Sequence, residues 1–453
     1  MIVVTHRGPV SFTPDADGGF TATRGAGGVV SAFAPLMAET GGTWVAAAMD
    51  DGDRAAVRAG AAVTEGFDLR MVDLDPAAHR LHYDLVSNAV LWPLFHGLFD
   101  LVRRPRFDRR FREAWDAYGE VNRAFAGVVA EAAKAGDAVL VQDYQLALVP
   151  GLLREARPDL AVVHFTHTPF CGPDAIRILP DAVSWALCAS LAAVPNGFHT
   201  ERWARAYRAS VREVLGPQSP VTPPFVAPLG PDPADLERVA ASEETAEASA
   251  ALERQVGDRL VLARVDRVEP SKNIVRGFTA YDLLLEEHPH WRGQVVFVAL
   301  VYPSRESLPE YLAYRQEVEQ AAAAVNRRWA EGDWTPVLLD TNDHYPTSVA
   351  ALCRYDALVV NPLRDGLNLV AKEGPLLNRR DGVLCLSRMA GAYDELGEAA
   401  VEVHPFDVLQ TAQAMHLALS LTGPERAERA SRLRELVAAR TAADWLKDVL
   451  AQT

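Results

Sequence analysis

The chain has 453 residues, of which 49% are hydrophobic and 23% charged, and a formal net charge of −15. This length exceeds one comfortable core and implies two domains of roughly 200 residues each, while the composition excludes a disordered or fibrous protein. The negative balance argues against nucleic acid or an anionic membrane as partner, so phosphate-bearing substrates would need a few placed Arg and Lys side chains to reverse it locally.

Residues 1–7, Met-Ile-Val-Val-Thr-His-Arg, carry neither a basic n-region nor a long apolar segment and read as a strand entered at once. No apolar run approaches the ~20 residues that span a bilayer, and a cytoplasmic location is expected. Asp17-Gly18-Gly19 reads as a hairpin turn. The Gly-rich stretch that follows, with Gly27 and Gly28, lets backbone amides approach a phosphate closely, and Arg7 adds charge. Short β-branched runs at 2–4, 138–141 and 161–165 alternate with helical stretches such as 211–215, the pattern of parallel α/β units. Proline density between 216 and 235 marks a loop or interdomain hinge. The second half repeats the pattern, with strands predicted at 260–263, 294–300, 337–339, 357–360 and 383–386 and helical stretches at 312–329 and 425–450. Cys171, Cys188, Cys353 and Cys385 show no CxxC spacing and read as buried thiols rather than a zinc site or disulfide framework.

Two segments follow predicted strands and carry the chemistry. Arg264-Val-Asp-Arg-Val-Glu-Pro-Ser-Lys-Asn273 places Arg267 as a planar fork and Lys272 as a point charge, suited to the two phosphates of a departing nucleoside diphosphate; an ordinary charged loop would look the same. Asn361-Pro-Leu-Arg-Asp-Gly-Leu-Asn-Leu-Val-Ala-Lys-Glu373 reads as a strand end, a tight turn and a helix over 367–377. Its amides and dipole form a ready diphosphate site. Asp365 would accept from sugar hydroxyls and Glu373, two turns into the helix, from a ribose; alternatively Arg364 and Asp365 pair locally and Glu373 is merely solvated.

The second segment, including Asp365, Gly366, Leu367, Asn368, Leu369 and Glu373, closely resembles the donor-binding string of the trehalose-6-phosphate synthases, and the likeness extends from Val3 to the carboxyl-terminal helix. The resemblance implies a GT-B fold of the α/β class, two facing Rossmann-like domains with a cleft between them. The expected division is 1–228 for the acceptor, 229–435 for the donor, and 436–453 crossing back. It implies a retaining glucosyltransferase acting on a nucleoside-diphosphate glucose and glucose 6-phosphate. Arg267 and Lys272 match the family's two basic positions, Thr5-His-Arg7 resembles its Asn-Arg, and Arg24-Gly-Ala-Gly-Gly28, with Gly27 and Gly28, resembles its Ala-Gly-Gly loop. Tyr83 and Trp92 match acceptor-site residues. Gln142-Asp-Tyr-Gln145 resembles the family's His-Asp-Tyr-His, so that Asp143 corresponds to the carboxylate at the acceptor. His167 aligns with a residue near the reacting centre, and Arg305 with a residue that reaches the acceptor phosphate. Neither metal nor cofactor is expected, because Arg and Lys neutralise the leaving group; a homo-oligomer is left open.

Two departures from the family pattern stand out. Trp44 is followed by Val45, Ala46 and Ala47 where the family often has Trp-x-Gly-Trp, and Asn342-Asp343 replaces His-Phe. The latter lies near the nucleobase by resemblance, where a carboxylate could accept from the N1–H and amino group of guanine; the expectation is that GDP-glucose is accepted, or preferred, beside UDP-glucose. A helix cap by Asn342 or Asp343 explains the same residues. Two rivals remain: a pseudo-glycosyltransferase joining cyclitol units, and a non-catalytic sugar-phosphate sensor.

Overall fold

The computed structural model describes the chain except for residues 16–18, 25–32, 35–36, 38–40 and 65. Its contacts divide it into Met1–Leu229 with Ala442–Thr453, and Gly230–Thr441.

The first unit opens with β1 (Ile2–Val4), a hairpin of β2 (Val10–Pro14) and β3 (Phe20–Arg24), then β4 (Thr43–Ala47) and β5 (Asp68–Val72). It continues through β6 (Ala138–Gln142), β7 (Ala161–Thr166), β8 (Asn196–Phe198) and β9 (Phe225–Val226). Seven of these strands form a parallel sheet in the order β5-β4-β1-β6-β7-β8-β9. The tip of the hairpin predicted at 17–19 lies partly outside the described residues, but its flanks pair antiparallel and Gly19 N–H donates to the Asp15 carboxylate at 2.7 Å. Strands buried on both faces read as continuous apolar runs, and Val4, Val45, Val139 and Val141 meet Phe125 and Val129 of helix Arg109–Ala132 in the core. That helix begins where Asp108 accepts from Phe111 N–H.

Residues 76–96 are helical throughout, but Leu81–Leu91 between two α-helical ends is a π-helix. Eleven residues of π geometry is far beyond the usual one-turn bulge, a device concentrated at functional sites. It carries Tyr83 and most of the segment 87–93.

The second unit contains β10 (Leu260–Arg267), β11 (Val295–Tyr302), β12 (Val337–Asp340), β13 (Ala357–Val360), β14 (Val383–Ser387) and β15 (Val401–Val403). They form one parallel sheet in the order β12-β11-β10-β13-β14-β15, so their carboxyl ends share an edge. Both units are thus Rossmann-like. β10 runs to Arg267, four residues beyond the expected strand, because Val265 still packs inward and the ladder with β11 extends to Tyr302.

The single helical pattern expected over 425–450 is two helices, Gly423–Ala438 with a Thr422–Glu425 capping box, and Ala442–Leu450. Periodicity alone could not show the break at 439–441, because both pieces bury their own apolar stripe. The first belongs to the second unit and the other to the first. Among the described residues no helix is long and apolar enough to cross a membrane. Cys171, Cys188 and Cys385 are buried free thiols and Cys353 is half-buried.

Candidate active site

In the second unit the site is built around a fully buried guanidinium. Arg264, inside β10, donates from Nε and Nη2 to the Asp266 carboxylate at 3.1 and 3.0 Å. Its Nη2 also reaches the Lys272 carbonyl at 3.0 Å and Asn361 Oδ1 at 2.8 Å. One side chain therefore ties the ends of β10 and β13 to the turn Pro270–Lys272. Asn273, in the left-handed region at φ 59°, adds bonds from Nδ2 to the Asn361 and Pro405 carbonyls at 3.0 and 2.7 Å. Burial pushes the Asp266 carboxyl up, against the pull of Arg264 and Lys272.

On this frame Lys272 Nζ meets Asp365 at 2.6 Å. Burial alone would lower the lysine pKa, but the Asp365 and Asp266 carboxylates outweigh it and hold it above its ordinary value. Glu269, 1% exposed, gathers both remaining expected arginines: Arg305 Nη1 at 2.6 Å and Arg267 Nε at 3.2 Å. Ser304 donates to it as well, and Arg305 also donates to the Tyr311 hydroxyl at 3.2 Å. The Glu269 charge is the chief reason the Arg267 pKa is raised. Four cations (Arg264, Arg267, Lys272, Arg305) thus face three carboxylates (Asp266, Glu269, Asp365), a local positive excess in an acidic protein.

Beyond β13, Asp365 pairs with Lys272 as well as bonding Asn368 Nδ2 at 3.2 Å. Gly366 and Leu367 pass so close to Gly391 that a Cβ on Gly391 would lie 2.0 Å from the Gly366 carbonyl oxygen. The helix starts at Val370, not Leu367. Asn368 sits at φ 85°, which no helix tolerates, and its Oδ1 accepts from Ala371 N–H at 3.0 Å, so one amide expected to be free for phosphate is already capped. Glu373 consequently falls in the first turn rather than the second. Its half-buried carboxyl makes no hydrogen bond among the described residues and is pushed up to about 7 by burial, then by Asp235. Leu367 is buried, and Leu369 is the residue preceding the helix.

At the carboxyl end of β12, Asn342 folds back, its N–H and Nδ2 donating to Asp340 at 2.9 and 2.7 Å. The N-cap of helix Tyr345–Arg354 is His344, so neither Asn342 nor Asp343 caps it. Asp343 is exposed with no hydrogen-bond partner among the described residues.

The first unit presents its own set at the carboxyl ends of β1, β6, β7 and β8. Asp143 adopts φ 67° and ψ 173°, a conformation that costs on the order of 1–3 kcal/mol for a non-glycine and clusters at functional sites. It is held by its N–H on the Phe165 carbonyl and by His167 N–H donating to its Oδ1 at 3.2 Å. His167 is enclosed by Phe165, His199 and Trp445 rings. Burial, then His164, depresses its pKa to about 3.

Arg7, exposed, follows β1, and its carbonyl accepts from Thr5, whose hydroxyl in turn accepts from the Trp44 indole. The His6 ring stacks on Tyr83 with centroids 4.6 Å apart. Tyr83 is half-buried and faces this cluster, whereas Trp92 is 3% exposed and stacked on His96. Gly27 and Gly28 lie outside the described residues. Sequence reasoning missed Glu269, Asp266, Gln142 and His199. Glu269 and Asp266 stood inside the quoted segment, but nothing in a spacing says which of several charges will turn inward. Among the described residues no cluster of His, Cys, Asp and Glu is arranged to hold a metal ion.

The family model for glycosyltransferase family 20 matches residues 1–453. The chain is 31% identical to the UDP-forming α,α-trehalose-phosphate synthase 2 of Aspergillus niger, over all of this chain and 96% of that one. Over 98% of its length it is 30% identical to the UDP-forming α,α-trehalose-phosphate synthase A of Dictyostelium discoideum, of which it spans 61%. The crystal structure of a UDP-forming α,α-trehalose-phosphate synthase from Burkholderia xenovorans in complex with glucose 6-phosphate superposes with a TM-score of 0.85 at 25% identity, over 99% of each chain. With parallel sheets in two Rossmann-like domains, a family match across its full length and the GT-B fold class of its structural relatives, the chain belongs to glycosyltransferase family 20.

Proposed function

We propose that the chain transfers glucose, with retention, from a nucleoside-diphosphate glucose to the anomeric hydroxyl of glucose 6-phosphate, giving α,α-trehalose 6-phosphate. The observation that carries this reading is the convergence of Arg267, Arg305 and Lys272 on the carboxylates Glu269 and Asp365 at one edge of a Rossmann-like sheet in a family 20 chain. Preorganised cations suit the charge that develops on a departing diphosphate, where electrostatic stabilisation lowers a barrier most.

In this reading the glycosidic C1–O bond to the diphosphate breaks while C1 bonds to the acceptor's anomeric oxygen on the same face, and the acceptor proton passes to a departing phosphate oxygen. Arg267 and Lys272 hold the diphosphate, Asp365 and Gly366 to Leu369 the glucose, and Glu373 the ribose. Arg7, Tyr83, Trp92, Asp143 and Arg305 serve the acceptor, and Gly27 and Gly28 the donor phosphates. All three named relatives are UDP-forming, which supports UDP-glucose as donor. The exposed Asp343 carboxylate, beside an Asn342 turned onto Asp340, favours acceptance of GDP-glucose as well.

The test is a donor and acceptor panel with product identification. Nucleoside diphosphate release that depends on glucose 6-phosphate, with trehalose 6-phosphate as product, is expected. Release without that dependence, or none at all, would return the chain to its sensor or cyclitol-joining rivals.

A further inference from the structure

We infer that His199 and Gln142 are positioning residues that lock His167 as its neutral Nε2–H tautomer, and that the lock originates in the main-chain amide of Leu229. This inference rests on the transferase reading for its catalytic consequence, but not for its structural content.

The argument follows protons along a chain of three hydrogen bonds. Leu229 N–H reaches His199 Nδ1 at 3.3 Å. An amide can only donate, so His199 Nδ1 accepts, and a neutral His199 carries its proton on Nε2. That nitrogen lies 3.1 Å from His167 Nδ1, which must therefore accept. His167 then carries its own proton on Nε2, and this faces Gln142 Oε1 at 2.9 Å. Each link leaves one choice for the next.

Three further observations agree. Gln142 is 2% exposed and its Nε2 has no hydrogen-bond partner among the described residues, so the bond to His167 is what orients the amide, at the expense of an unsatisfied N–H pair. Protonating His167 on both nitrogens would set its Nδ1–H against the His199 Nε2–H, in the same direction as the depressed pKa. The Trp445 ring, 5.8 Å from that of His167 at 48°, closes one side of the imidazole. Where the family resemblance has histidine at position 142, this chain has an amide that cannot titrate, which removes the second tautomer a histidine pair would allow. Leu229 is also the last residue before the chain passes into the second unit. The polarity of a ring beside Asp143 is therefore set by the backbone at that crossing.

The experiment uses the full chain labelled with 15N-histidine, without substrate, and reads the ring nitrogens of His167 in long-range 1H–15N spectra at neutral pH. A protonated Nε2 and an unprotonated Nδ1 are expected. His199→Gln keeps a donor near the Nε2 position and should preserve both the tautomer and transfer. His199→Leu should release the tautomer and lower kcat roughly tenfold or more with the KM for donor less changed, the scale expected when a reacting group loses its orientation. Gln142→Met replaces the amide, and with it the acceptor facing His167 Nε2, by a weakly accepting thioether, and serves as the second probe should His199→Leu fail to fold. A wild-type His167 protonated on Nδ1, or a His199→Leu variant with unaltered tautomer and kcat, overturns the inference. Because the tautomer is read without substrate, absence of glucosyl transfer in the wild type would count against the proposed function and not against the lock.

Discussion

Replacing Arg267 by alanine separates chemistry from folding. Its side chain is 46% exposed and pairs with Glu269 at 3.2 Å, while Arg305 pairs with the same carboxylate at 2.6 Å and remains after the substitution. Glu269 is thus not stranded, and the exposed half of the pair is screened by solvent, so the stability cost should stay below about 1 kcal/mol. The leaving group loses a preorganised donor, an effect of roughly 3–4 kcal/mol in comparable sites, equivalent to about 10²–10³ in rate. The assay is glucose 6-phosphate-dependent release of nucleoside diphosphate, run beside thermal unfolding of the same preparation. Arg267→Lys restores charge but not the planar fork and should recover about tenfold of the loss. Turnover of Arg267→Ala within tenfold of wild type, or a loss that tracks a collapse in thermal stability, would refute the assignment of Arg267 to the leaving group.

Four other perturbations have expected outcomes. Glu373, with a carboxyl near 7 in the fold against an ordinary value of 4.5, binds more protons folded than unfolded, so its contribution to stability falls as pH rises through that window. Glu373→Gln should flatten this part of the wild-type stability profile by up to about 3 kcal/mol, read as the difference between the two proteins in denaturant titrations from pH 4.5 to 8; parallel profiles would contradict it. Arg264→Met strands the buried Asp266 and Asn361 and should cost about 3–5 kcal/mol of stability, visible as a lowered denaturant midpoint, in contrast to Arg267→Ala. Gly391→Ala cannot be accommodated without moving the Gly366 carbonyl, so the KM for donor should rise at least about tenfold while circular dichroism stays unchanged. Asp343→Ala should lower kcat/KM for GDP-glucose by about tenfold and leave UDP-glucose within about twofold, on the scale of one lost charge-assisted hydrogen bond; an unchanged GDP/UDP ratio removes Asp343 from base recognition.

How far the sequence went depended on what kind of statement was asked of it. Apolar runs such as those read at 294–300 and 357–360 fixed the α/β class, because a strand buried on both faces is apolar along nearly its whole length. The segment 361–373 identified the family, since a long ungapped string carries more information than any periodicity. Sequence also nominated Arg267, Lys272, Arg305 and Asp365, and tertiary structure brings them to one edge in pairs that no spacing specified: Lys272 with Asp365 across 93 residues, and Arg305 with Glu269 across 36. Short strands such as Asn196–Phe198 and Val401–Val403 escaped notice because Asn-Gly-Phe and Val-Glu-Val lack the unbroken β-branched run that marked the equally short Ile2–Val4. The start of the helix at Val370 was decided by Asn368 at φ 85°, a backbone choice set by contact with Gly391 and the Asp365 pair rather than by helical propensity. The sequence by itself therefore determined the class of the fold, the family and the charged cast of the site. Only the tertiary structure decided which charge turns inward, which amide is already capped and which nitrogen of His167 bears the proton. Those depend on hydrogen bonds between residues distant in the chain, and a hydrogen bond has a direction and a partner that composition and spacing do not encode.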